Sequence, residues 1–221
     1  TTFPSLKYYT KNSKLLAPWI VLSAQETLLD FGLKDFTVVE YGSGISSFFF
    51  AKEAGICYSF EENVDINGEH LLGSESWIKK MQDQSEFLDL KINLVSPNEE
   101  NILPKNIISN YWQKDSYLLI FIDGCEREKI FSLWSDFIIS NKELQIVLLV
   151  DNSDLPDKAS TFEKLKKNNA MIFHHYGPVY GQIYSNSCTS FITFNPQLLV
   201  NKNYSPFTHD KRWGYGNSQA S

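Results

Sequence analysis

The sequence predicts an α/β fold, a mostly parallel sheet with a layer of helices on each face. Three observations carry that expectation. Segments 117–122 (YLLIFI) and 144–150 (LQIVLLV) are apolar almost end to end, as strands covered on both faces are. Short apolar segments alternate with amphipathic ones along the chain, which reads as strand and helix in turn. Glycine, acid or amide residues follow Tyr41, Phe60, Ile122 and Val150, at the carboxyl ends of strands where such sheets bind ligands.

Taken in order, residues 13–31 place Leu15, Leu16, Trp19, Ile20, Leu22 and Leu28 at helical spacing, with Gly32 as the stop. Segment 36–41 is the first strand, 42–47 a small-residue turn, and 48–54 a helix closed by Gly55. Segment 56–60 is the second strand and 63–73 a polar loop. A short helix over 74–84 centres on Trp77, Ile78 and Met81. Segment 88–95 alternates as a strand that Pro97 breaks, and 98–114 reads as mostly irregular. Strand 117–122, helix 126–140 and strand 144–150 follow, and Pro156 sits near the start of a helix through 167. Strands 171–176 and 187–194 flank a Gly- and Tyr-rich connection, and the tail 195–221 has no clear period.

The 221 residues are 43% hydrophobic and 21% charged, values of a chain that buries a core without disulfide or metal staples. Twenty basic residues against 26 acidic ones leave a net charge of −6, which disfavours wholesale binding of nucleic acid. The longest apolar run, 117–122, is far short of the ~20 residues that cross a bilayer. Cys57, Cys125 and Cys188 are too few and too scattered for a disulfide framework. With no secretory leader pattern at the start, a cytoplasmic setting is expected.

The chemistry concentrates in Glu40-Tyr41-Gly42-Ser43-Gly44-Ile45-Ser46-Ser47. Two glycines allow a tight turn and close approach of the backbone to a ligand. A dinucleotide fingerprint would place a third glycine at 47, where this chain has Ser47, and Glu40 would repel a pyrophosphate. A ligand with a cationic amino group would instead be attracted. The second strand ends at Glu61, 17 positions after Gly44, where a carboxylate can accept both ribose hydroxyls. Turn and acids together point to a positively charged nucleoside, and S-adenosylmethionine has that chemistry. The plain alternative is an ordinary strand-to-helix turn beside a solvated acid pair.

Val38-Val39-Glu40-Tyr41-Gly42-Ser43-Gly44-Ile45-Ser46-Ser47 resembles motif I of class I S-adenosylmethionine-dependent methyltransferases. Tyr117-Leu118-Leu119-Ile120-Phe121-Ile122-Asp123-Gly124 resembles their fourth-strand motif, and the likeness spans roughly residues 15–194. It implies a Rossmann-like α/β/α sandwich whose seven-stranded sheet has an antiparallel last strand. It implies an N-terminal helical cap over 1–35, a cofactor-binding methyltransferase domain over 36–194 and an irregular tail over 195–221. Glu40, Gly42, Ser43 and Gly44 would hold the methionine part of the cofactor. Glu61 would hold the ribose, with Glu62 able to share that role, and Asp123 would face the same pocket.

Asp123, Asp151 and Asn152 form a hard-oxygen set at adjacent strand ends, suited to Mg²⁺. The set resembles the metal ligands of catechol- and caffeoyl-CoA-type O-methyltransferases. The same residues also make good turns and caps. No lysine base is assignable, because Cys125-Glu126-Arg127 follows the Asp123-Gly124 turn. Asp123, His174 and His175 are the candidate catalytic residues; adjacent strand residues point to opposite faces, so one histidine can face an acceptor while the other packs.

The expected function is transfer of a methyl group from S-adenosylmethionine to the oxygen or nitrogen of a small molecule. Neither nucleic acid nor a membrane is the expected partner, and a homodimer stays open. The rivals are a non-catalytic nucleoside-binding or regulatory module on the same fold and, behind it, a nicotinamide-dependent oxidoreductase.

Overall fold

The computed structural model describes residues 18, 20–61, 77–112, 116–124, 126–179, 182–195 and 197, with nothing on the side chains of 182–186. The strands are β1 (Phe36–Tyr41), β2 (Ile56–Phe60), β3 (Asn93–Val95), β4 (Tyr117–Ile122), β5 (Ile146–Asp151), β6 (Met171–Val179) and β7 (Gln182–Thr193). The helices are α1 (Leu22–Phe31), α2 (Ile45–Glu53), α3 (Trp77–Leu88), α4 (Pro104–Asn110), α5 (Arg127–Ser140) and α6 (Ala159–Lys167). The sheet has seven strands in the order β3-β2-β1-β4-β5-β7-β6. Strands β1 to β5 pair in parallel, and β7 runs antiparallel to both neighbours. The expected architecture, a covered parallel sheet with its last strand reversed, is the one found.

The apolar runs are buried for the reason the sequence suggested. Every residue of β1 and β5 is buried, as is β4 beyond Tyr117. One core lies under α4, α5 and α6 and includes Ile107, Trp134 and Leu165. The other lies under α1 and α2 and includes Leu28 and Phe50. Full burial of side chains of this size stabilises by roughly 1.5–3 kcal/mol each. Tyr41 carries a polar tip into the first core. Its hydroxyl donates to the Ile102 carbonyl at 3.1 Å and accepts from Trp134 Nε1 at 3.0 Å.

Several boundaries differ from expectation. Segment 88–95 is strand only at Asn93–Val95, because α3 runs on to Leu88 and stops at Asp89, which takes a left-handed φ of 57°. The supposedly irregular stretch 98–114 contains α4, with Pro104 in the first turn, where its missing N–H costs nothing. The Gly- and Tyr-rich connection is mostly sheet: β6 continues to Val179 and β7 starts at Gln182. The tail lies almost wholly outside the described residues. Among the described residues no helix is long and apolar enough to cross a membrane.

The chain order reverses at β1: it runs outward to β2 and β3 on one side, then crosses back to β4 on the other. The carboxyl ends of β1 and β4 therefore flank the crevice at which open α/β sheets take ligands.

Candidate functional site

The turn after β1 is built around a buried acid. Glu40 is 0% exposed. Its Oε1 accepts from the Ser46 hydroxyl, and its Oε2 from those of Ser47 and Ser59, the last at 2.6 Å. Ser47 Oγ also accepts the Gly44 N–H at 3.0 Å, covering one of the amide donors left over at the start of α2. Burial pushes the Glu40 carboxyl up to about 7, although the three hydroxyls pull it down. Glu40 thus lies beneath the turn and braces it from below.

Gly42 makes the crevice possible. Its φ is +100°, and a Cβ there would lie 2.5 Å from the Gly124 Cα. A Cβ on Gly124 would in turn meet the Gly42 Cα at 2.8 Å. The loops after β1 and β4 touch backbone to backbone, which only two glycines permit. Ser43 points the other way, toward β2. Its N–H donates to Glu61 Oε2 at 2.6 Å and its hydroxyl to the same oxygen at 2.8 Å. Trp77 Nε1 donates to the Ser43 carbonyl at 3.0 Å.

Gly42 and Glu61 open into a cleft of about 220 Å³. Among the described residues that line it, Tyr41, Phe60 and Ile102 give apolar walls; Glu61, Glu99 and Glu126 are the carboxylates, against the single ammonium of Lys129. Lys129 pairs with Glu126 at 3.1 Å. Glu126 holds a left-handed φ of 53° just before α5, a conformation that costs a non-glycine residue about 1–2 kcal/mol. Asn98, Glu99 and Glu126 were not among the sequence candidates. The rule that pointed to the ends of β1, β2, β4 and β5 applies equally to β3, whose three residues were obscured by the longer strand expected there. Glu62 lies outside the described residues.

The candidate Mg²⁺ ligands Asp123, Asp151 and Asn152 are each engaged by protein groups, and nothing in their contacts supports a metal site. Arg127 fills that place: Nη2 lies 2.9 Å from Asp123 Oδ1, Nη1 donates to Asn152 Oδ1, and Nε donates to the Gly124 carbonyl at 3.1 Å. Asp151 is turned to the neighbouring strand, where Oδ1 accepts from Thr189 Oγ1 at 2.8 Å. Among the described residues no group of three His, Cys, Asp or Glu could hold a metal ion. Burial first, then Asp151, raises the Asp123 carboxyl well above its ordinary value, with Arg127 opposing. Burial raises Asp151 too, against the Thr189 hydrogen bond. The i,i+4 spacing of Asp123 and Arg127 was the available sequence signal.

His174 and His175 fall inside β6, not at its end. Their rings point to opposite faces, as alternation requires. His174 Nδ1 pairs with Ser190 Oγ at 2.6 Å, and its ring sits beside Phe162. Burial lowers its pKa. His175 is buried, with Nδ1 3.1 Å from Ser23 Oγ and its ring edge-on to Phe191. Register puts His175 level with Thr189 and Asp151 across the sheet. Neither histidine lines the cleft at Gly42 and Glu61.

No protein-family model matches the sequence, and no curated protein sequence matches it. Solved structures do. A METTL16 MTase domain superposes with a TM-score of 0.53 at 13% identity, over 78% of this chain and 66% of that one. A second METTL16 MTase domain structure gives 0.53 at 13% identity, over 79% of this chain and 68% of the other. Magnesium protoporphyrin IX methyltransferase (ChlM) from Synechocystis PCC 6803, with bound SAM, gives 0.45 at 12% identity over 77% and 76%. At such identities the likeness is one of architecture, and the chain has the fold of class I S-adenosylmethionine-dependent methyltransferases.

Proposed function

We propose that the protein is an S-adenosylmethionine-dependent methyltransferase acting on the oxygen or nitrogen of a small molecule. The observation that carries this reading is the cleft after β1 and β2. Among the described residues its carboxylates outnumber its cations, its floor is the close-approach turn at Gly42, and Glu61 already accepts the Ser43 amide and hydroxyl. That set of acceptors fits a cationic adenosyl compound. In the proposed roles the Gly42, Ser43 and Gly44 backbone holds the methionine part, Glu61 the ribose, and Tyr41, Phe60 and Ile102 the base.

The bound cofactor supplies an electrophilic methyl group on a sulfonium. The protein's part is to bind, orient and exclude water, which is worth most of the rate in such displacements. Asp123, at the end of β4 beside the glycine turn and paired with Arg127, is the proposed residue on the acceptor side. Neither histidine lines the cleft, so the acceptor's proton leaves to another base or to solvent, and His175 supports α1 through Ser23. The net charge of −6 favours a small acceptor over a polyanion.

Calorimetric titration with S-adenosylhomocysteine tests the cofactor. The expected result is saturable binding that Glu61→Ala weakens about tenfold or more, the scale of a lost charge-assisted hydrogen-bond pair. Absence of heat and of any thermal shift at millimolar ligand overturns the reading, and tight binding of NADH in its place would favour an oxidoreductase. Incubation with methyl-labelled cofactor and, separately, a metabolite pool and an RNA pool reads out the acceptor. Label in RNA alone would replace the small-molecule assignment; binding without transfer to either pool would favour a non-catalytic module.

A further inference from the structure

We infer that Arg127 is the resident cation of the β4–β5 edge: its guanidinium does there what a divalent ion does in an oxygen-ligand site, so ligand binding at this edge needs no metal. All three kinds of guanidinium nitrogen are used, on Asp123 Oδ1, Asn152 Oδ1 and the Gly124 carbonyl. One planar group therefore ties the end of β4, the loop that follows it and the loop after β5. Asn152 is oriented for this. Its amide nitrogen donates to Ser187 Oγ at 2.9 Å, which turns its oxygen toward Arg127, and its backbone takes a left-handed φ of 49°. Asp151, the remaining oxygen ligand of a would-be metal set, is instead committed to Thr189, whose Oγ1 also accepts the Val21 N–H at 3.3 Å.

The position of Arg127 supports the same assignment. It is the first residue of α5, where the helix dipole disfavours a cation. An arginine there is retained by local acceptors, and the acceptors present are the ones expected to bind an ion. A guanidinium also has the fixed, planar donors that bridging several oxygens needs; a lysine at the same place offers a point charge. Arg127 is in these terms a positioning residue. It sets Asp123 beside the turn that packs against Gly124, and what that edge then binds rests on the reading given above.

The test uses Mn²⁺, an oxygen-preferring paramagnetic ion, and S-adenosylhomocysteine. Electron paramagnetic resonance should detect no Mn²⁺ on the wild-type protein. Arg127→Met keeps the stem and removes the charge; this variant should bind one Mn²⁺ and lose it again when Asp123→Asn is added. Arg127→Lys should still exclude the ion. Equal Mn²⁺ binding by wild type and Arg127→Met overturns the inference, as does binding by neither, or binding that survives Asp123→Asn. The wild-type protein provides a second readout free of any folding defect. Its affinity for S-adenosylhomocysteine should agree within about twofold in Mg²⁺ and in EDTA, and a tenfold fall on chelation overturns the inference. If the wild type binds no S-adenosylhomocysteine at all, the cofactor reading fails while the Mn²⁺ result still decides the role of Arg127.

Discussion

The turn after β1 and the edge of β4 and β5 face the same crevice and both bury carboxyl groups, yet they satisfy them by different chemistry. Glu40 is surrounded by the neutral hydroxyls of Ser46, Ser47 and Ser59. Asp123 has a guanidinium. Hydroxyls can donate or accept, so the first cluster accommodates either protonation state of Glu40, whose carboxyl is raised to about 7. A guanidinium only donates, and its charge favours an ionised Asp123 while burial and Asp151 favour the protonated form. Polar clusters a strand apart thus answer differently: both respond to proton concentration, and the ion pair of the second responds to ionic strength as well. They meet where Gly42 touches Gly124.

Forcing the clusters apart gives the largest expected effect. Gly42→Ala places a methyl 2.5 Å from the Gly124 Cα at a φ of +100°. Overpacking plus a strained φ should cost on the order of 4 kcal/mol in urea denaturation. Gly44→Ala, where the nearest heavy atom is 4.0 Å away, should cost about 1 kcal/mol or less. Equal losses would show that the contact between the turns is not what holds them.

Next comes the chemistry under the first turn. Glu40→Ala leaves three buried hydroxyls without their acceptor, and should cost about 3 kcal/mol. Glu40→Gln, close in shape to the protonated acid, should cost about 1 kcal/mol. The pH dependence follows from the raised pKa. The folded state holds the Glu40 proton more tightly than the unfolded chain does. Its contribution is therefore complete below the ordinary value of 4.5 and is lost as pH rises through about 7. The loss should be about 3 kcal/mol between pH 4.5 and pH 8. Asp123 and Asp151 are raised as well and act with the same sign, so the informative quantity is the wild-type curve minus that of Glu40→Gln. Superimposable curves would remove the distinction between the clusters.

Smaller effects are expected at the second edge. Thr189→Val deletes the hydroxyl on Asp151 Oδ1, and should lower stability by about 1–2 kcal/mol by chemical denaturation. Smallest is the response to salt. The Arg127–Asp123 pair is partly exposed, 30% and 21%. Molar NaCl should therefore cost under about 1 kcal/mol through this pair, read as the difference in melting temperature between wild type and Arg127→Met. A larger salt response in the variant than in the wild type would reverse the comparison.

Local patterning made most of the scaffold legible. Strands 36–41, 56–60 and 117–122 coincide with β1, β2 and β4, because strands covered by helices are predominantly apolar and the turns that bound them are small or polar. The short β3 was misjudged: its flanks alternate in hydrophobicity while belonging to a helix and a loop. In the site, Gly42, Gly44, Glu61 and Asp123 stood out because glycines and acids at strand ends have few purely structural uses. Ser59 gave only the faint signal of a polar residue in an apolar strand. Arg127 was given no role from the sequence.

By itself the sequence determined the alternation of strand and helix and the placement of acids along the carboxyl edge, since these depend on periodicity and on neighbours in the chain; the reversed last strand was legible only through the family resemblance. Tertiary structure alone decided which atoms face one another. It put Ser59, 19 residues away, on the oxygen that Ser47 also reaches, set Gly124 against Gly42, and gave Asn152 to an arginine in place of a metal. Such pairings are set by how strands from distant parts of the chain come into register, and no local pattern encodes that distance.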